Sequence, residues 1–512
     1  MRNMANRKIQ ESWRFHNSTK HPGMPPHHLD WDNQPIPLKI YKSLDPINIP
    51  KDLPFSNTPA LEALKSVPDQ TDIEIIPDLP TLGRLLFLSA GITKKRKYPG
   101  GEIYFRAAAC TGALYHIDLY VVTTKIHGLD AGVYHFGVHD FSLRKLRGED
   151  LRGTLVEATP HESSVSKAPT IIICTSTFWR NSWKYQSRAY RHTFWDNGTI
   201  LANLITAANA YKIPARIVAG FVDDTVNGLI DLDTHREVAV SLVPIGRTNT
   251  EARARKVELD KLSYETIPLS RDEFDYPSIR RMHEASSLFS KEEADDWRDN
   301  TIDSETIDSK GVLFPLDVDD YLEDANKSRT IEQTILKRGS TRHFSREPIT
   351  FKELSYMLFS ATRGISADFL NPFGATLNDV YIIVNDVEHI PKGSYFYNQR
   401  EQSLELLKEG DFRKEAGHLG LGQDIPADAS ADVFFLADLD RILEVYGNRG
   451  YRVAELEAGI LGGKLYLSAY SLGLGASGLT FFDDEVTRFF SPHAKSKSVM
   501  FLVALGKSVR SL

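Results

Sequence analysis

The chain has 512 residues, 41% hydrophobic and 25% charged, with a formal net charge of -7. That balance belongs to a soluble globular protein too long for one ordinary core, and the acidic excess argues against the broad basic face that nucleic acid or an anionic membrane surface requires. No apolar run approaches the ~18 residues of a spanning helix, the opening MRNMANRKIQESWRF is too polar for a signal-peptide core, and Cys110 and Cys174 are too few for a disulfide framework, so a cytoplasmic protein of several compact units with free thiols is expected.

Residues 1–75, rich in proline and carrying LDWDNQPIPLK, read as an extended N-terminal arm, and its His21, His27 and His28 lack the spacing of a metal site. Residues 76–250 and 331–512 then repeat one another. SRAYRHTFWDNGTILANLITAANAY (187–211) and NRGYRVAELEAGILGGKLYLSAYSL (448–472) share a skeleton at a shift of 261, with Arg188, Tyr190, Arg191 and Gly198 falling on Arg449, Tyr451, Arg452 and Gly459. The same shift lays Tyr120, Gly132 and Tyr134 on Tyr381, Gly393 and Tyr395. A long period in two copies marks a duplicated domain and not a solenoid.

Within the copies LYVVT, TIIICTS, AVSLVPIG, VYIIV and SVMFLVALG suit buried strands, while Ile200, Leu201, Leu204, Ile205 and Ala208 share one helical face. Thr350 and Glu353 form a capping-box signature ahead of LSYMLF, and a helix is expected to begin near Thr330. The fold class is α+β. Residues 251–330 are a charged connector with short helices such as KEEADDWRD, and no rigid domain is expected there. The acidic pairs Asp223–Asp224 and Asp483–Asp484 read as caps or ion pairs, and Arg188 and Arg191 as partners of acids or of substrate carboxyl groups.

One stretch is locally basic. In TILKRGSTRHFSREPITFKEL, Arg338 and Arg342 flank Gly339 and Ser340. Two guanidiniums, a hydroxyl and a permissive glycine make a phosphate grip, the alternative being a solvated basic turn. The matching stretch of the first copy, LKSVPDQTD, has no arginine.

At this point the sequence resembles the nitroreductase superfamily, and within it the SagB/ThcOx branch of azoline-oxidising flavin dehydrogenases. RAAACTGALYHIDLYVV, SWKYQSRAYRHTFWDNGTILANL, GLGASGLTFFDDEVTRFFSPHA and the lead-in STKHPG…LDWDNQP are each similar to segments of that branch, in order, over most of the chain. The resemblance implies FMN, two tandem FMN-binding-type domains, and a dimer-like pairing of the two halves within one chain. It implies one composite site per chain. Arg338, Ser340 and Arg342 would hold the phosphate, with Ser477, Gly478 and Leu479 at the flavin ring, all from the second half. Cys110, Thr111, Gly112 and Leu114 would close the site from the first half, with Lys184 and Tyr185 as the catalytic pair. Cys110, Thr111 and His116 depart from the branch's usual Ser-Ala and proline. Lys507 and Arg510 could add charge to the phosphate, or stand as a basic tail in solvent.

The implied activity is dehydrogenation of an azoline or imine-like unit in a peptide or small metabolite, with oxygen reoxidising the flavin. Two alternatives stay open: an NAD(P)H-dependent nitroreductase or quinone reductase, and a non-catalytic binding protein on the same fold. The pairing of halves completes the site within one chain and is compatible with a further homo-oligomer.

Overall fold

The computed structural model describes residues 5–50, 52, 55–65, 73–98, 101–302 and 309–509. Each copy of the repeat turns its β-branched runs into one antiparallel sheet. The first sheet runs Pro46–Asn48, Ser142–Arg147, Gly132–Gly137, Ile117–Thr123, Thr170–Thr177, Glu237–Ile245. The second runs Gly475–Leu479, Ser498–Gly506, Ala431–Ala437, Asn378–Val384, Gly393–Asn398, Ser403–Glu409, Val312–Pro315. At the shift read from the sequence, Ile117–Thr123 falls on Asn378–Val384, Gly132–Gly137 on Gly393–Asn398 and Glu237–Ile245 on Ser498–Gly506, residue for residue. Central strands are buried along their whole length, as runs such as Ile171, Ile172 and Ile173 require when both faces of a sheet are covered.

Two long helices, Ala189–Ala210 and Asn448–Ser471, are buried almost throughout, and they pack on each other. A helix enclosed all round needs a partner on every side, and each copy supplies one for the other. The repeat-related Gly198 and Gly459 mark the crossing. A Cβ on Gly198 would stand 2.6 Å from the Gly459 carbonyl carbon, and one on Gly459 would stand 2.7 Å from the Trp195 carbonyl oxygen. Backbone meets backbone there, so no side chain fits without parting the halves.

Beyond the crossing the halves exchange charges. Arg188 and Arg191 reach Asp483 at 3.0 and 2.6 Å, and Arg449 and Arg452 reach Asp223 at 2.6 and 2.9 Å. Burial opposes ionisation of both carboxyls, yet the flanking guanidiniums outweigh it and hold each below the usual carboxylate range. The ion-pair reading of Asp223 and Asp483 is borne out, and the α+β chain is a pseudo-dimer of two tandem units.

Segments outside the repeat carry more structure than their composition implies. The arm contains the helix Gln10–Ser18, and Pro46–Asn48 edges the first sheet as Val312–Pro315 edges the second. The connector folds Pro277–Ala285 and Lys291–Arg298 into helices that bury Met282 and Trp297. Thr350 and Glu353 make both bonds of the expected capping box before Phe351–Ala361, and Thr330 with Gln333 does the same for Ile331–Lys337. Among the described residues no helix is long and apolar enough to cross a membrane.

Candidate active site

A cavity of ≈ 260 Å³ is lined from both halves. The first half contributes the turn Ala109, Cys110, Thr111 and Gly112, followed by Lys184 and Tyr185. Asp196, from the first long helix, pins that turn. The Thr111 N–H and hydroxyl donate to its Oδ1 at 2.9 and 2.8 Å, and the Cys110 thiol donates to Oδ2 at 3.0 Å. His116 Nε2 lies 2.9 Å from the same Oδ2. Cys110, His116 and Asp196 thus place their polar atoms within 4.8 Å of one another, at the spacing of hydrogen bonds around one carboxylate. Burial, with Asp196 next, pushes the Cys110 thiol well above its ordinary pKa, so it is a protonated donor and not a nucleophile.

Lys184 and Tyr185 end the helix Phe178–Tyr185. Gly112 has φ +64, and a Cβ there would lie 2.8 Å from the Tyr185 hydroxyl, so only glycine lets the tyrosine close over the turn. Burial, then Asp196, raises the phenol above its ordinary value, and it stays protonated. Lys184 Nζ stands 5.3 Å from the Tyr185 ring centre. Burial and the nearby charge of Arg342 lower its pKa, and Arg342 comes from the other half.

Ser340, Arg342, Gly478 and Leu479 complete the cavity from the second half, together with Gln423, Tyr466, Thr480 and Phe501. The Tyr466 hydroxyl accepts from the Gly478 N–H at 2.5 Å and lies 3.2 Å from Ser340 Oγ, tying the basic turn to the glycine loop. Arg342 is exposed and has no carboxylate partner among the described residues.

Four expected residues stand outside the lining. The Arg338 guanidinium donates to the carbonyls of Arg106 and Ala107, both at 2.7 Å, and so fastens the second half to the wall of the first. Leu114 is buried behind that wall with Trp179 and Trp183. The Ser477 hydroxyl is buried in its strand with no hydrogen-bond partner among the described residues, and Lys507 turns towards Glu347, 3.8 Å away. Arg510 and most of the arginine-free stretch 64–72 lie outside the described residues. Asp196 and His192, which also lines the cavity, were not flagged by motif. Their readable signal was polar residues inside the enclosed helical run YRHTFWDNG.

The pseudo-symmetric position is built differently, beside a cavity of ≈ 410 Å³ lined by Glu162, Arg216, Ser366 and Phe373. There, Ile217 pairs with Ala367 of the second half, and the Asp368 carboxylate accepts from the Ala219 and Gly220 N–H groups at 2.9 and 2.8 Å. Tyr446, the counterpart of Tyr185, donates to the Phe369 carbonyl at 3.0 Å. The residue matching Asp368 at the open cavity is Ala107, which has no carboxylate to fill the space.

Residues 335–507 match the Nitroreductase family. The chain is 32% identical over 163 residues to the nitroreductase-named protein MJ1384 of Methanocaldococcus jannaschii, a match spanning 30% of this chain and 81% of that one. It is 28% identical over 189 residues to the trifolitoxin-processing protein TfxB of Rhizobium leguminosarum bv. trifolii, spanning 35% of this chain and 48% of TfxB. The crystal structure of a nitroreductase-named protein from Anabaena variabilis aligns with a TM-score of 0.76 at 26% identity, over 98% of this chain and 99% of that one. That last alignment takes in both halves, the arm and the connector. The motif resemblance to the nitroreductase superfamily and its SagB-type branch is borne out, and the chain belongs to the nitroreductase family.

Proposed function

We propose that the protein is an FMN-dependent dehydrogenase that oxidises an azoline or imine-like unit of a peptide or small metabolite, with oxygen as the final acceptor. Residues 76–250 and 331–512 would be its two nitroreductase-like domains, with 1–75 as arm and 251–330 as connector. The observation that carries the reading is the meeting of Lys184 and Tyr185 from one half with Ser340, Arg342 and the 478–479 loop from the other in a single cavity.

The lining fits FMN chemically. Arg342 offers charge without a counter-ion and Ser340 a hydroxyl, while His192 Nε2 and Thr480 Oγ1 are buried polar atoms with no hydrogen-bond partner among the described residues. When bound, FMN supplies the acceptor for the hydride leaving the substrate carbon. The protein supplies the rest. Lys184, with its pKa lowered, is a base whose neutral Nζ takes the proton from the neighbouring carbon. Tyr185, held protonated, donates a hydrogen bond to the substrate. Arg338 keeps the first-half wall against the second half, and Asp196 keeps the turn at Cys110 and Thr111 rigid.

The deciding experiment is to purify the protein, release its flavin, and offer a thiazoline peptide in air. About one FMN per chain and peroxide formation matched to thiazole formation support the reading. Arg342→Ala then lowers retained FMN, by about tenfold or more in Kd for a lost charge-assisted contact. Rapid flavin bleaching by NADPH without thiazoline turnover turns the reading to a nitroreductase, and a protein that takes up no FMN turns it to a binding protein.

A further inference from the structure

The helix Phe178–Tyr185 carries two tryptophans, Trp179 and Trp183, one turn apart beside the Lys184–Tyr185 pair. Both indoles are used to fasten segments from outside the repeat. Trp183 Nε1 donates to the Asp30 carbonyl of the arm at 3.0 Å, and Trp179 Nε1 donates to Ser270 Oγ of the connector at 2.8 Å. On each indole stands a further ring, edge to face: Trp31 on Trp183 at 5.3 Å and Phe274 on Trp179 at 5.4 Å. These outer rings are 65% and 60% exposed, the cost of leaving large aromatic surface in water.

Arm and connector are also stitched together two residues along the chain from each ring. The Asn33 side chain donates to the Asp272 carbonyl and accepts from the Asp272 N–H, both at 2.9 Å. The arm then straps the end of the catalytic helix, with His27 Nε2 at 2.6 Å from the Trp183 carbonyl and the Gln186 amide donating to Pro25 at 3.1 Å. Tyr185 belongs to both places: it lines the cavity and packs against the tryptophan cluster.

The tryptophan pair with its exposed outer rings is confined to one half. At the repeat shift Trp179 and Trp183 become Asp440 and Glu444, on the helix whose Lys-Tyr pair has become Val445–Tyr446 and beside which Asp368 stands in the place of Ala107. That helix is covered by a different aromatic: Trp297 of the connector packs on Tyr446 at 5.2 Å and donates to its carbonyl at 2.9 Å, and Trp297 is buried where Trp31 and Phe274 are exposed. The exposed rings are kept where the Lys-Tyr pair is kept.

We propose that Trp31 and Phe274 form an aromatic lip that receives an aromatic or bulky apolar side chain of a peptide substrate, next to the ring held at Lys184 and Tyr185. This rests on the dehydrogenase reading and narrows its substrate class. A small metabolite that fits within the cavity cannot touch rings outside it, so an occupant of both must be an extended chain. LDWDNQP, otherwise a motif without a role, then has one: Asn33 fixes the arm, and Trp31 faces the substrate.

Two synthetic thiazoline hexapeptides, alike except for Phe or Gly beside the ring, test this on the full-length flavoprotein. The wild type is expected to favour the Phe peptide in kcat/KM, with the preference carried by KM. Trp31→Ser and, on the other segment, Phe274→Ser should each cut that preference by about three- to tenfold, the scale of one aromatic contact. Bound flavin per chain certifies that each variant is folded. An unchanged preference in both folded variants, or no preference in the wild type, overturns the lip. If neither peptide is oxidised, the dehydrogenase reading has failed. The corresponding thiazole peptides are then titrated by tryptophan fluorescence: a Phe-over-Gly preference lost in the variants still supports the lip, and equal or absent binding overturns it. Wild-type dimers dissociated by Trp31→Ser would also overturn it, because a second copy would then be the occupant.

Discussion

Lys184 is an amine whose charge is opposed by burial and by Arg342, and this sets what its removal should do. Lys184→Ala should leave FMN bound while turnover of a thiazoline peptide falls about a hundredfold or more, the usual scale for a lost general base. Because its pKa is lowered, the neutral, active form appears at lower pH than for a free lysine. Wild-type kcat/KM should therefore rise with pH through an ionisation below the ordinary lysine value of about 10.4, and that limb should vanish in Lys184→Ala. Full activity in the variant would remove the base from the mechanism. At this scale the sequence was readable where a residue's place follows from its motif, as with Lys184, Tyr185, Ser340 and Arg342, all of which line the cavity. It was less readable where a role depends on what a side chain bonds to. Arg338 differs little from Arg342 in the sequence, yet its donors are taken by backbone carbonyls of the other half.

At the scale of elements, Gly198 and Gly459 carry a constraint that helix propensity alone would oppose, since glycine inside a helix costs about 1 kcal/mol relative to alanine. Their conformations are ordinary helix, and their use lies in close approach: the nearest atoms are backbone, which cannot rotate away. Gly459→Val should therefore lose about 3 kcal/mol or more, at the upper end of overpacking costs, read as a lowered urea midpoint. A variant as stable as the parent would mean that the helices do not meet there. The strands read in the sequence, the long helices and the capping box at Thr350 were legible because each is written in local periodicity or a fixed spacing. The helix Gln10–Ser18 was not, because its burial is supplied by distant residues of both halves: Ser12 bonds Asn448, and Phe15 packs on Tyr190 and Tyr451. Nor was the free hairpin of Ile92–Tyr98 with Gly101–Arg106, whose lysine-rich strand lacks the apolar alternation of a core strand.

For the whole molecule the question is whether two halves joined by a long connector behave as one cooperative body. The exchanged ion pairs give a means of asking. Asp483 belongs to the second half, but its charge serves Arg188 and Arg191 of the first, and all three side chains are buried. Asp483→Asn would leave two guanidiniums without their counter-charge at the interface. Breaking a buried pair in this way costs about 3–5 kcal/mol, more than the intact pair need contribute relative to an apolar one. The pH dependence follows from the sign of the shift. Since the folded carboxyl has a lowered pKa, its stabilisation is complete above the unfolded value of about 3.9 and is lost as pH falls through the folded value. Wild type and Asp483→Asn should thus differ most near neutral pH and converge in acid. If the halves are one body, urea unfolding followed by flavin release and by tryptophan fluorescence should give a single coincident transition, moved as a whole by the substitution. If instead fluorescence splits into two steps with only one displaced, the halves fold separately. A cavity that needs residues from both would then be lost at the first step, with flavin release marking it.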